Sequence, residues 1–245
     1  MLGFIGAPYT MATYCVEGGT SASYLQIKKM GCTIASVAIA SVATVSPRCS
    51  YQGYTLPRLH VSRYNEPELL HALLDKLASN LADYACYQIE SGAQMVQVFE
   101  SWAHQLTPSY FEAFSKPYAL RVAALVRERH PEAPVLFFAN GGSSYLASQK
   151  DMVSPAFYNT LSLDWAVDMG EARKQLGEHV PVQGNIDPSI LLGSPSDVEA
   201  AVKECIEKAG GPGMHVLNLG HGVLQPTPEA NVQAFVDAAR KHGTK

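Results

Sequence analysis

Charged residues and long apolar runs are both scarce in this chain of 245 residues. Asp, Glu, Lys and Arg make up 16% of it, and 18 basic against 22 acidic side chains give a formal charge of −4. This small acidic excess indicates neither a nucleic-acid partner nor a basic membrane-binding face. The one apolar run that could suggest a membrane-spanning helix, Thr33–Val45, is shorter than the roughly 20 residues that cross a bilayer. Since 47% of the residues are hydrophobic, a globular fold with a substantial core is expected.

Paired cysteines and a targeting segment are also missing from the sequence. The cysteines number five, an odd count, and they form no CxxC pair and no His/Cys spacing suited to zinc. We therefore expect free thiols in a reducing compartment, and no metal. The first eight residues, Met1–Pro8, lack the charged start and the cleavage site of a signal peptide, and they resemble a buried strand instead.

Short apolar runs alternate with longer segments of helical periodicity along the chain. The predicted strands are Leu2–Gly6, Met95–Phe99, Val135–Ala139, Thr160–Asp164, Val180–Gly184 and Met214–Leu219. The predicted helical segments are Glu66–Glu90, Pro108–His130, Asp168–Leu176, Pro195–Ala209 and Pro228–His242. Three of these segments begin with a proline that directly follows a capping hydroxyl, at Thr107-Pro108, Ser194-Pro195 and Thr227-Pro228. This alternation predicts a parallel sheet covered by helices.

Polar residues follow almost every predicted strand, which favours a barrel over a doubly wound sheet. They are Glu100-Ser101, Asn140, Asp164-Trp165, Asn185 with Asp187, and His221. Functional groups from many successive strand ends are typical of the carboxyl-terminal face of a (β/α)8 TIM barrel. A doubly wound sheet would concentrate them at one switch point. The fold class is therefore α/β, with a TIM barrel expected.

Six β/α units cannot close an eight-stranded barrel, and Met1 falls almost on a strand. We expect about two N-terminal units to be missing from an otherwise single barrel domain over residues 1–245. A second anomaly is Gly31–Arg63, which keeps neither helical nor strand periodicity, and a structureless loop of this length is uncommon inside a domain. It is either a surface insertion or non-native sequence such as translated intron, so residues 31–63 are treated as an insertion.

Several motifs, in order, resemble the uroporphyrinogen decarboxylase family. They are Gly6–Thr10 with Thr13–Gly19, then Gln97–Trp102, Leu163–Trp165 with Asp168, Val182–Pro188 and Asn218–Gly222. The resemblance covers nearly all of the chain except Gly31–Arg63. The segments Phe138–Gly141, Trp165–Met169 and Gly222–Glu229 look most like the plant and algal plastid branch.

The resemblance implies an enzyme that converts uroporphyrinogen III to coproporphyrinogen III by removing four acetate carboxyls, in haem and chlorophyll biosynthesis. It implies no cofactor, because a protonated pyrrole ring of the substrate accepts the departing electrons. The implied substrate-binding residues are Tyr14, Ser101, His221 and Phe99, with Phe99 as a wall of the pocket. For the first three, the alternatives are a half-buried packing tyrosine, a helix-capping serine and a turn histidine. The glycines around His221 would let the backbone approach a ligand closely.

The resemblance also implies that parts of the site lie upstream of Met1. An arginine-rich loop that grips the carboxylates and an aspartate that stabilises the cation belong there, so the catalytic residue of this chain is unknown and the chain alone is expected to be inactive. A homodimer and a plastid location are implied, or otherwise a cytoplasmic one. The alternatives are a related zinc, corrinoid or methionine-synthase-like methyltransferase, or a non-catalytic truncated product. The methyltransferase fits poorly, because Asn140–Gly142 and Asn218–Gly220 lack the cysteine that would bind zinc.

Overall fold

The fold is known from a computed structural model that describes residues 1–17, 67–211 and 213–243. The predicted insertion 31–63, including the apolar run Thr33–Val45, lies outside the described residues. Within the described ranges, none of the helices is long and apolar enough to span a lipid bilayer.

Six strands form one parallel sheet in sequence order, as predicted. They are β1 (Leu2–Gly6), β2 (Met95–Glu100), β3 (Val135–Ala139), β4 (Thr160–Ser162), β5 (Val182–Ile186) and β6 (His215–Leu219). Each strand pairs in parallel with the next one along the chain. The connections between them contain helices, so the β/α alternation read from the sequence is confirmed.

One strand is displaced by two residues from its predicted position. The apolar pattern predicted Val180–Gly184, but β5 runs from Val182 to Ile186. Its last residues stay in the sheet because Asn185 and Ile186 pair with Asn218 and Leu219 of β6. At the other end, the carbonyl of Val180 accepts a hydrogen bond from a side chain, Arg173, instead of joining the ladder.

The helices lie between the strands, and two predicted features of them are wrong. They are α1 (Pro8–Glu17), α2 (Pro67–Glu90), α3 (Pro108–Tyr110), α4 (Lys116–Arg129), α5 (Leu146–Lys150), α6 (Met169–Leu176), α7 (Pro195–Lys208) and α8 (Glu229–Gly243), with 3₁₀ turns at Ala103–Gln105, Gly142–Tyr145 and Pro188–Leu192. The predicted helix Pro108–His130 is interrupted by a π-helical turn, Phe111–Ser115. Pro117 has no N–H to donate to the carbonyl four residues earlier, which favours such an interruption. The second error is Thr227, whose buried hydroxyl has no hydrogen-bond partner and caps nothing.

The other two helix-start signals are confirmed. Thr107 accepts a hydrogen bond from the backbone N–H of Tyr110 at 3.4 Å. Ser194 and Asp197 form a reciprocal capping box at the start of α7. These caps satisfy N–H groups that a helix cannot pair internally, and so they fix where the chain turns from the sheet into a helix.

The sheet curls as a barrel wall does. Gln97 on β2 and Gln183 on β5 are separated by two strands, yet Gln183 Nε2 donates to Gln97 Oε1 at 3.1 Å. The same Nε2 donates to Ser162 Oγ on β4 at 2.8 Å. Side chains of non-adjacent strands meet like this only where the sheet bends around them, so these residues face the concave side.

The concave side is open between β1 and β6. Among the described residues, β1 pairs only with β2, and β6 only with β5. Phe4 on β1 and Val216 on β6 lie opposite Gln97 and Gln183, and they are 68% and 52% exposed. Parallel strands are normally buried on both faces, so these exposed apolar side chains mark the unclosed part of the barrel.

Two arginines brace the amino-terminal end of the sheet. Arg173 donates to the carbonyls of Val180, Ala209 and Met214 at 2.6–2.9 Å, just before β5 and β6. Arg127 binds the carbonyls of three loop residues in the same way before β3 and β4. The carbonyl of Met214 also accepts from the backbone N–H of Val182, and the guanidinium groups supply donors to the other carbonyls outside the ladder.

Replacing Arg173 with Met should lower the free energy of unfolding by about 2–4 kcal/mol, because the partly buried carbonyls of Val180 and Ala209 lose their donor. Urea denaturation followed by circular dichroism measures this loss. Arg121→Met is the matched control: Arg121 pairs with Asp75 at an exposed site, and its loss should cost less than about 1 kcal/mol. Equal losses in the two variants would contradict the bracing role.

Candidate functional site at the carboxyl-terminal strand ends

The carboxyl ends of all six strands lie at one edge of the curled sheet, because the strands are parallel. We call this edge the mouth. It gathers the residues that follow the strands, namely Ala7–Tyr14, Glu100–His104, Asn140–Gly142, Asp164–Val167, Asn185–Asp187 and Gly220–Gly222. The predicted convergence of polar strand ends is therefore confirmed.

A row of aromatic rings crosses the mouth. Phe4 and Phe99 meet edge to face at 6.3 Å, and Phe99 meets Phe138 at 5.7 Å. His221 then lies 6.4 Å from Phe138 and 5.8 Å from Trp165. Phe99 lies in the middle of this row, and its role as a wall of the substrate pocket stays a prediction. Phe138 was not singled out, because β3 is a continuous apolar run whose burial pattern does not distinguish its two faces.

Tyr14 lies on α1 beside this row. Its ring meets Trp102 edge to face at 6.0 Å, and the residue is 42% exposed. A tyrosine with one packed side and one exposed side can offer its hydroxyl to a ligand while its ring stays fixed. The structure therefore places Tyr14 at the edge of the mouth.

Ser101 is held by its backbone on both sides. Its N–H donates to Thr10 Oγ1 at 2.9 Å, and its carbonyl accepts from Asn140 Nδ2 at 3.2 Å. The following α-helix is capped by Thr107, so the helix-capping alternative for Ser101 is wrong. What remains is a partly buried hydroxyl at a fixed position in the mouth.

His221 is exposed, and one ring nitrogen is already engaged. The backbone N–H of Gly222 donates to His221 Nδ1 at 2.7 Å. Nδ1 must then be an acceptor, so the proton of the neutral ring resides on Nε2. His221 can therefore offer an Nε2–H to an acceptor in the mouth.

The glycine before His221 has a packing role that the sequence did not indicate. A Cβ on Gly220 would lie 2.4 Å from the backbone nitrogen of Trp165 and 3.0 Å from the carbonyl carbon of Asp164. The β6 end therefore approaches the chain after β4 and not a ligand. Around Gly222, by contrast, a Cβ would meet nothing within 4 Å.

The acidic and amide groups of Asp164, Asn185 and Asp187, which follow two of the strands or end one of them, make hydrogen bonds within the protein. Asp164 accepts from the N–H groups of Gly141 and Ala166 at 2.6 and 2.7 Å. Asn185 donates to the carbonyls of Asp164 and Val167. Asp187 caps the 3₁₀ turn after β5. These bonds hold β3, β4 and β5 in fixed relation at the mouth.

Glu100 is a buried carboxyl that sequence reasoning did not single out. It is 0% exposed and accepts hydrogen bonds from Thr10 Oγ1 at 2.5 Å and Ser115 Oγ at 2.8 Å. Burial raises the pKa of Glu100 to about 7, although these donors and the backbone N–H of Trp102 act in the opposite direction. The residue therefore titrates near neutral pH.

Arginine is absent from the described part of the mouth. Arg127 and Arg173 brace the opposite end, and Arg121 and Arg129 form exposed ion pairs between helices. In residues 1–17, 67–211 and 213–243, His, Cys, Asp and Glu side chains form no group of three that could hold a metal ion. The described mouth thus offers aromatic faces and neutral donors.

The buried Glu100 predicts a pH-dependent difference in stability between the wild type and Glu100→Gln. The pKa of Glu100 is higher in the folded state than in the unfolded state, where it is 4.5. The carboxyl therefore adds its full contribution to the free energy of unfolding below pH 4.5, and this contribution is lost as the pH rises through 7. The free energy of unfolding of the wild type, relative to the variant, should fall by about 3 kcal/mol across that interval. Urea denaturation at several pH values measures it. A pH-independent difference would contradict the buried titration.

A parallel sheet that curls toward a barrel, with its functional side chains at the carboxyl-terminal edge, defines a protein of the α/β-barrel class. A methyltransferase from Methanosarcina mazei has the same fold, with a TM-score of 0.61 at 23% identity over 71% of this chain and 50% of that chain. The chain belongs to the uroporphyrinogen decarboxylase family, whose model, "Uroporphyrinogen decarboxylase (URO-D)", matches residues 55–242.

Two curated relatives cover nearly all of the chain. A uroporphyrinogen decarboxylase of Parasynechococcus marenigrum (strain WH8102) is 41% identical over 96% of this chain and 56% of its own length. The chloroplastic uroporphyrinogen decarboxylase 2 of Oryza sativa subsp. japonica is 40% identical over 98% of this chain and 52% of its own length. The chain therefore spans about half the length of the curated relatives it matches.

Proposed function

We propose that this chain forms the carboxyl-terminal part of a uroporphyrinogen decarboxylase that converts uroporphyrinogen III to coproporphyrinogen III. Each of the four acetate groups would lose its carboxyl as CO₂ and become a methyl. Membership of the family supports this proposal, and so do the names of relatives about 40% identical to the chain.

The single observation that carries the proposal is the aromatic row with hydrogen-bond donors beside it. Phe99 and Phe138 offer an apolar wall to the face of a macrocycle. Tyr14, Ser101 and the Nε2–H of His221 would donate to carboxylates around its rim. Polar groups around an apolar floor orient a large amphipathic ligand in one position.

The chemistry needs an acid and a stabiliser of positive charge, and no cofactor. Protonation of a pyrrole ring gives a cation, the bond from the acetate methylene to its carboxyl breaks, and the electron pair moves into the ring. A proton then adds to the methylene carbon to give the methyl group, and the ring releases the proton that it first gained, so that the neutral pyrrole is restored and one proton is consumed for each CO₂ lost. Preorganised charges that face the cation lower the barrier to this step.

The described carboxyls at the mouth are not placed for that role. Asp164 accepts two backbone N–H groups, Asp187 caps the 3₁₀ turn after β5, and Glu100 faces the helices. We therefore propose that the stabilising aspartate and the carboxylate-gripping arginines come from the portion of the relatives that this chain does not match. The chain alone would then form no coproporphyrinogen.

The domain proposal follows from the open side of the sheet. Residues 1–245 would form one barrel domain with two further β/α units between β6 and β1, where Phe4 and Val216 are exposed. Residues 31–63 would be an insertion into this domain. The match to the family model begins at residue 55, inside that segment.

Two finer proposals concern the whole protein. Plant relatives named as chloroplastic support a plastid location, and cyanobacterial relatives support the same photosynthetic lineage. A homodimer is proposed from the family resemblance. Zinc or corrinoid methyl transfer and a non-catalytic product remain the alternatives, and the likeness to a methyltransferase supports the fold alone.

Substitutions at the mouth test the proposed substrate contacts in a completed protein, meaning this chain joined to the upstream portion of a family relative. Tyr14→Phe and His221→Gln should each lower kcat/KM by about 10- to 100-fold, because each removes a donor to a charged group. Partly decarboxylated intermediates should accumulate. Chromatography of the porphyrins after oxidation measures both effects.

Matched controls lie far from the mouth. Tyr84→Phe changes an exposed tyrosine on α2, and His179→Gln changes an exposed histidine at the amino-terminal end of the sheet. Both should keep wild-type kinetics. If the mouth variants also keep them, the assignment of Tyr14 and His221 is overturned, whereas an inactive completed wild type would overturn the proposed activity.

Deletion tests the proposed insertion. Joining Met30 to Tyr64 in the completed protein should leave the melting temperature unchanged or higher, because closing such a loop costs only about a kcal/mol or two. Differential scanning calorimetry measures the change. We also expect limited proteolysis to cut the wild type within this segment.

A shorter deletion separates the two halves of the segment. Removal of residues 31–54 keeps the part that the family model matches from residue 55 onward. Equal melting temperatures for both deletions support an insertion over 31–63. A large loss of stability in the longer deletion would show that the segment belongs to the fold.

A further inference from the structure

Glu100 lies at the mouth end of β2, but its side chain points to the helix side of the sheet. It follows Phe99 on β2, and successive side chains of a strand point to opposite faces. Phe99 joins the aromatic row, whereas Glu100 is fully buried against α1 and the π-helical turn. Burying a carboxyl on the helix side of a strand lowers the stability of the fold unless hydrogen bonds compensate for the lost hydration. The groups that donate these hydrogen bonds to Glu100 are therefore held in place by it.

Its partners come from three separate parts of the chain. Thr10 on α1 donates to Oε1, and Ser115 of the π-helical turn donates to Oε2. The backbone N–H of Trp102 is the third donor. One carboxyl therefore joins a helix, a turn and the segment after its own strand.

Thr10 extends this network to the predicted substrate contacts. Its Oγ1 donates to Glu100 and at the same time accepts from the backbone N–H of Ser101 at 2.9 Å. Thr10 and Tyr14 are four residues apart, so they share one face of α1. Tyr14 in turn packs on Trp102. The positions of Tyr14 and Ser101 thus depend on hydrogen bonds that end on one carboxyl.

We propose that Glu100 is a positioning residue for substrate binding, which sets Tyr14 relative to Ser101 through Thr10. This inference rests on the proposed function for the identity of the ligand. Glu100 itself touches no substrate. Its loss acts by letting α1 and the segment Ser101–Trp102 shift against each other, so that their donors no longer fit one ligand together.

The first test needs no ligand. The chain has two tryptophans, so a Trp165→Phe background leaves Trp102 as the reporter. In that background, Glu100→Gln and Thr10→Val should shift the emission of Trp102 to longer wavelength and raise its quenching by acrylamide. Thr10→Ser keeps the hydroxyl, and it should retain the background values.

Tyr158→Phe is the control for a general loss of stability. Tyr158 is fully buried, and its hydroxyl donates to the carbonyl of Ala119 at 2.7 Å, away from the mouth. It should lower the free energy of unfolding without changing the Trp102 signal. The inference is overturned if Tyr158→Phe changes that signal as Glu100→Gln does, or if Thr10→Val leaves it unchanged.

The second test uses the completed protein and uroporphyrinogen. Glu100→Gln and Thr10→Val should raise KM about tenfold, with a smaller effect on kcat. Thr10→Ser, which keeps the hydroxyl, should have the wild-type KM. If Glu100→Gln does not fold, Thr10→Val and Ser115→Ala carry both tests. An inactive completed wild type would overturn the proposed function, and the Trp102 signal would still decide the positioning role; an unchanged KM in Thr10→Val would overturn the inference.

Discussion

The hydrogen bonds among Gln97, Ser162 and Gln183 inside the curled sheet are the contacts on which the mouth depends. They join β2, β4 and β5 across the concave side, and they require the sheet to bend. A flat parallel sheet would spread its strand ends along a line. Because this sheet curls, Phe138 of β3 comes within 6.4 Å of His221 beyond β6. Residues more than eighty positions apart in sequence can then contact one ligand.

The polar side chains at the two ends of the sheet have different roles: those at the amino-terminal end stabilise the backbone, and some of those at the mouth are left for a ligand. At the amino-terminal end, the guanidinium groups of Arg127 and Arg173 donate hydrogen bonds to backbone carbonyls. At the mouth, Asp164 and Asn185 brace the strand ends and leave aromatic faces and single donors such as His221 to the solvent. A ligand with many carboxylates needs cations as well, and the described mouth supplies none. This is why the proposed activity depends on the rest of the family's barrel.

Much of this arrangement was predictable from sequence because it has local causes. Continuous apolar runs predicted the parallel strands, and capping residues such as Ser194 predicted where helices begin. The displaced end of β5 shows where such prediction fails, because a contact distant in sequence decides the outcome. The β5 strand extends to Ile186 because β6 pairs with it, and the same residues read alone favoured an earlier end.

The site shows the same division. Family motifs predicted four substrate contacts, and the structure places all four at or beside the mouth, namely Tyr14, Ser101, Phe99 and His221. Glu100 was visible only as a polar strand end. Its burial depends on partners at positions 10 and 115, which no periodicity or spacing relates to position 100. The packing role of Gly220 against Trp165 depends equally on the curl of the sheet.

The most direct test of this account is a crystal structure of the completed protein with the product coproporphyrinogen, grown without oxygen. We expect the macrocycle to lie against Phe99 and Phe138, with its carboxylates within hydrogen-bond distance of Tyr14, Ser101 and His221 Nε2. A macrocycle bound elsewhere, or one in the mouth whose carboxylates reach none of these three residues, would contradict it.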